Sequence, residues 1–202
     1  ITIGPATGTR FDFKEMYRQH FPPPTICRTP GWKPETRGSS VLAPADRVLR
    51  IKSEETVRTG LAELTTEGII RAADAFVLDR RFHSLEHDLS PSIATEATII
   101  RSIQRYLQVL KALEIPLPWY VGVSLLQIRG YQFLASSREA SPKRYNNDDL
   151  CFEPVIIRRQ IDVDDEKAIA GILRDSMDFL WREFGFSWGS CTYVNDVWSP
   201  GI

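Results

Sequence analysis

What this sequence lacks says more than what it has in abundance. It holds only three cysteines, Cys27, Cys151 and Cys191, an odd number set far apart with no C-x-x-C pair. Neither a zinc ribbon nor a redox dithiol is encoded, and so sparse a set suits a reducing compartment in which thiols stay free. Charge of one sign is missing too: 25 basic residues face 26 acidic ones, for a formal net charge of −1. Such a balance creates no long-range field to gather a polyanion. No apolar run is long enough to span a bilayer, and no signal-like segment opens the chain. The sequence starts at Ile1 rather than Met, which reads as a fragment of a longer, cytoplasmic polypeptide. Internal repeats and low-complexity tracts are absent as well.

What is present is ordinary globular material: 202 residues, 43% apolar and 25% charged, with five Trp and ten Phe to supply buried area. Residues 1–46 read as an irregular, loop-rich N-terminal segment. Ile1-Thr-Ile3 opens like a strand, but Gly4, Pro5, Gly8, Phe21-Pro-Pro-Pro24 and Pro30-Gly31-Trp32 then restrict the backbone. Residues 47–202 read as an α+β regulatory or interaction domain. Val48–Ile51 has strand character, and Val57–Leu64 with Ile69–Val77 forms a hairpin around Thr65-Thr-Glu-Gly68. Ile99, Ile100, Ile103, Leu107, Leu110 and Leu113 recur at three-to-four spacing and predict one long helix, ended by Pro116 and Pro118.

Beyond that helix, Trp119–Ile128 carries little charge on either face. It is expected to be a central strand covered on both sides, with Tyr131–Ala135 returning as its hairpin partner. Pro154–Arg158 makes another strand. Asp162, Asp164 and Asp165 place negative charge at the start of a final helix whose buried face includes Ile169, Ile172, Leu173, Leu180 and Phe184, with Gly185 closing it. The expected fold is a mainly antiparallel sheet of hairpins with two long helices packed on one face.

Chemistry-bearing motifs are few. His83-Ser-Leu-Glu86-His87 spells H-x-x-E-H, which on one helix face would give two zinc ligands and a general base for hydrolysis. Asp88-Leu-Ser-Pro91 follows at once, leaving barely one turn for a helix and no evident third ligand, so a solvated loop is the expectation. Ser190-Cys191 has no base assigned to it, and a buried or half-buried free thiol is expected there. Gly4–Gly8 lacks the Gly-Lys-Ser/Thr ending of a phosphate loop and reads as a turn. The carboxylates Asp162, Asp164, Asp165 and Glu166 suit a helix start as well as they would a hard cation. Arg80-Arg81 and Arg158-Arg159 read as solvated surface. Trp181, Phe184, Phe186, Trp188, Tyr193 and Trp198 crowd the C-terminal part, where core packing accounts for them more simply than base stacking does. No metal, cofactor or catalytic residue is expected. Arg129, Tyr131, Trp188, Tyr193 and Trp198 are the expected contacts to a partner.

Five segments resemble the C-terminal region of bacterial proteins that begin with a Schlafen AlbA-type nucleic-acid-binding domain. They are Thr66–Asp74, Ile103–Leu107, Val123–Tyr131 with its Ser-Leu-Leu-x-x-Arg-Gly-Tyr string, Phe152–Ile156, and Met177–Phe186 followed by Ser190 and Tyr193. Together they span roughly Thr56 to Trp198, while the opening segment and the His83–His87 loop have no counterpart. The resemblance implies a sensory or interaction domain in a regulatory or defence protein. Its implied partners are other domains of the same polypeptide or a second copy of itself, with nucleic acid reached only through an N-terminal domain that this sequence lacks. It supplies no catalytic residue.

Overall fold

The computed structural model describes residues 1–5, 39–45, 48–55, 58–65, 68–74, 89–134 and 143–200. Seven strands build its main sheet: β1 (Thr2–Pro5), β2 (Ser39–Ala45), β3 (Val48–Glu55), β4 (Arg58–Thr65), β5 (Ile70–Asp74), β7 (Trp119–Gly122) and β11 (Val155–Ile157). Their order is β11-β7-β1-β5-β4-β3-β2, and every neighbouring pair is antiparallel. Strands β2 to β5 form a meander of hairpins. At the β4–β5 turn Gly68 takes φ 75°, a conformation that disfavours any Cβ, and its N–H donates to the Thr65 carbonyl at 2.9 Å. The fold is therefore α+β, as expected.

The opening residues have a larger part than their turn-rich surroundings suggest. β1 lies between β7 and β5, and β2 forms the far edge, so both belong to the sheet rather than to a loop-rich segment apart from it. A row of apolar partners crosses the strands in register: Val155, Val121, Ile3, Ile70 and Leu64. Of these, Ile3 and Ile70 are wholly buried and Val155 is half-buried.

Helix α1 (Ser92–Ala112) packs against β1 on this apolar side, and α2 (Glu166–Glu183) packs against α1. Ile99, Ile100, Ile103, Leu107 and Leu110 are buried along α1 while Arg105 faces water, which is the pattern their spacing predicts. Each such side chain contributes about 1.5–3 kcal/mol by leaving water. On α2 the buried stripe is Ile169, Ala170, Leu173, Met177, Leu180 and Trp181, with Ile172 half-buried. Asp165 caps this helix by accepting from the Lys167 N–H at 2.9 Å, and Gly185 (φ 97°) turns the chain away at its end. Phe133 then stacks on Phe184 at 4.0 Å and meets Trp181 edge-on at 5.5 Å.

One expectation fails. Trp119–Ile128 is not a single strand covered on both sides. It divides into β7 and a two-residue β8 (Ser124–Leu125), which pairs with β10 (Leu150–Cys151) outside the main sheet. The presumed hairpin partner, β9 (Gln132–Leu134), instead runs parallel to β6 (Leu89–Pro91). Two physical reasons stand out. Gln127 adopts φ 57° just past β8, which turns the run before Ile128 and away from a hairpin, and Tyr120 points to a side of the sheet that no described helix covers. A low-charge run is a poor guide to coverage when one of its faces ends in a phenol.

Candidate functional site

Two regions carry chemistry worth building up: a buried carboxylate, and the open side of the sheet. Glu96, in the first turns of α1, is wholly inaccessible to solvent. An isolated carboxylate there would be very costly, so its oxygens need donors. The far end of the chain supplies them. Oε2 accepts from the Trp181 indole N–H at 2.5 Å and the Ser190 hydroxyl at 2.7 Å. Oε1 accepts from the Trp198 indole N–H at 3.0 Å and from the Thr192 hydroxyl. Ser190 Oγ and Thr192 Oγ1 are 2.8 Å apart, and Thr192 N–H also donates to Ser190 Oγ at 3.2 Å. Four donors match the roughly four lone-pair positions of a carboxylate. While those bonds stand, Glu96 has no free position for an external cation.

The surrounding elements follow from this hub. Asp178 of α2 accepts the Ser190 N–H at 2.8 Å and so fixes the loop that brings Ser190 to Glu96. The hairpin of β12 (Tyr193–Val194) and β13 (Val197–Trp198) is joined by Asn195 and Asp196, both at positive φ (49° and 64°), as a tight two-residue turn demands. Asp196 pairs with Arg174 of α2 at 2.5 Å, and the Tyr193 hydroxyl donates to the Ala170 carbonyl at 2.8 Å. Burial, with help from the Glu96 and Asp178 charges, pushes the Tyr193 phenol well above its ordinary range. Cys191 reaches solvent, yet partial burial and then the Glu96 charge raise its thiol away from the reactive thiolate.

The expected partner contacts separate on inspection. Trp198 and Tyr193 are tied inward, the first to Glu96 beneath the Arg101 guanidinium at 5.8 Å, the second to α2. Trp188 is exposed and rests edge-on against Phe186. Arg129 and Tyr131 belong to the turn between β8 and β9, where Arg129 is exposed and pairs with Asp148 at 2.9 Å. The acidic cluster acts at the start of α2 and across to α1: Asp164 accepts from Gln108 at 3.0 Å and Lys111 at 3.2 Å, and Glu166 pairs with Arg101 at 2.6 Å. His83, Glu86 and His87 lie outside the described residues, as do Arg80, Arg81 and most of Gly4–Gly8. Among the described residues no group of three His, Cys, Asp or Glu side chains is arranged to hold a metal ion. No described helix is long and apolar enough to cross a membrane.

The open side of the sheet was missed by sequence reasoning. Tyr120 of β7 and Ile156 of β11 are cross-strand partners, 38% and 48% exposed. On the other side of Tyr120 stands Gly4, where an added Cβ would come within 3.0 Å of the Ile69 side chain and 3.1 Å of its Cα. A Cβ on Gly122 would lie 3.4 Å from the Tyr120 ring, which places that ring across the glycine. The result is an apolar stripe ending at the free edge of β11. Val155-Ile156-Ile157 is apolar at every position, so its sequence carries no alternation to mark Ile156 as exposed.

No protein-family model matches this chain, and no curated protein or solved structure is significantly similar to it.

Proposed function

We propose that this chain is a non-catalytic interaction or sensory module, one part of a larger bacterial nucleic-acid-binding protein of regulation or defence that works in the cytoplasm. The Tyr120–Ile156 stripe carries the reading: two large side chains are 38% and 48% exposed on a sheet whose other side packs against α1. Adjacent exposed apolar residues on a rigid surface are what a binding face requires. The internally satisfied Glu96 agrees with it, because the most heavily bonded carboxylate described here holds the fold together and faces no solvent. The link to a nucleic-acid-binding protein rests on the five resembling segments alone.

Native mass spectrometry of the chain and of Tyr120→Glu tests the reading. A complex above the bare-chain mass, either an assembly or a retained small molecule, is expected for the wild type and should be lost in the variant. Bare monomers in both would overturn it. Stoichiometric zinc lost on His83→Ala would favour a zinc-dependent hydrolase in its place. Tight, steeply salt-dependent binding of nucleic acid would favour direct recognition.

A further inference from the structure

We infer that β11 pairs with β11 of a second copy across a twofold axis through Ile156, joining two seven-stranded sheets edge to edge. This deepens the interaction-module reading and rests on it. β11 is the terminal strand of the main sheet, and among the described residues nothing pairs with its outer edge. An unpaired edge offers a row of backbone donors and acceptors, a ready template for an added strand. Natural edges are guarded by charge and proline at the centre of the strand. Here the centre is Ile156, 48% exposed, and the guards stand only at the ends.

Those ends are what select a second copy of this chain as the occupant. The segment reads Glu153-Pro-Val-Ile156-Ile-Arg-Arg159. In antiparallel pairing centred on Ile156, residue 156 + n of one copy faces residue 156 − n of the other. Val155 then faces Ile157, Arg158 faces Pro154, and Arg159 faces Glu153, twice over by symmetry. The register places opposite charges together at both ends and like charges nowhere. Glu153, Pro154, Arg158 and Arg159 are all exposed, and Glu153, Arg158 and Arg159 enter no ion pair among the described residues. The pairing also makes the apolar stripe continuous, running Tyr120, Ile156, then Ile156 and Tyr120 of the second copy. A one-residue slip would turn alternate side chains to the wrong side.

Sedimentation velocity across a concentration series is the test, with circular dichroism to verify that each variant folds. The wild type should dimerise, and Ile156→Lys should abolish the dimer. Arg159→Glu alone should weaken association on the order of tenfold, as should Glu153→Arg alone, because each replaces two attractive pairs by two repulsive ones. The double exchange Glu153→Arg with Arg159→Glu should restore it to within a few-fold. A chain monomeric at every concentration overturns the pairing. So does a dimer indifferent to Ile156→Lys and to both charge reversals. If such a dimer is still lost in Tyr120→Glu, the sheet surface keeps its role as a binding face and only the edge pairing fails.

Discussion

The Glu96 hub and the Tyr120–Ile156 stripe are opposite solutions to the problem of a misplaced side chain. At the hub, a charged group sits where only apolar groups are usually tolerated, and four donors from 85 to 102 residues away surround it. At the stripe, apolar groups are partly exposed and no described helix covers them. The first arrangement is closed within the chain, while the second is left open by the described residues. Buried polar groups are thus a guide to what holds this fold together, and exposed apolar ones a guide to where a binding face is to be sought.

The sharpest way to break this contrast is Glu96→Gln. Each carboxylate oxygen receives one indole N–H, so a carboxamide must turn its NH₂ toward either Trp181 or Trp198, donor against donor. Loss of about 4 kcal/mol is expected in urea unfolding, more than an ordinary deleted hydrogen bond. An unchanged midpoint would show that the hub relaxes freely. Tyr193→Phe should cost less, about 1 kcal/mol, for the bond to Ala170. Its pH dependence is the more telling readout. The folded phenol stays protonated above the ordinary value of 10.0, whereas the unfolded tyrosine ionises there. The wild type should therefore lose stability as pH climbs past that value, and Tyr193→Phe should flatten this part of the stability–pH curve. Smallest of all, Tyr120→Thr should shift stability by no more than about 0.5 kcal/mol while weakening association. A large loss of stability there would mean that the stripe is part of the core after all.

Local signals were legible and distant ones were not. The β4–β5 hairpin follows from Gly68 between two β-rich runs, and α1 from the spacing of its Ile and Leu residues. The start of α2 follows from the negative charge of Asp162, Asp164 and Asp165. Each of these depends on residues within a few positions of one another. Glu96 gave no such sign: from the sequence it is one more carboxylate near a helix start, and its four donors come from elements that reach it only in the finished fold. Tyr120 misled for the same reason. Its neighbours Trp119 and Val121 are buried, and nothing within the run tells which side the helices will occupy. The exposed stripe became visible only when β7 and β11 were placed in register.

The reach of the Glu96 bonds also sets an order of events during synthesis. α1 leaves the ribosome long before Ser190, Thr192 and Trp198 have been translated, so its one inaccessible carboxylate spends that interval hydrated and without its final partners. The helix can form early, but its first turns cannot settle into the core until the last part of the chain emerges. A released fragment ending near residue 185 would hold the α1 and α2 stripes and still leave this carboxylate without Ser190, Thr192 and Trp198. Closure of the domain is thus timed by its C-terminal hairpin, which acts as the final fastener of a structure begun at residue 2.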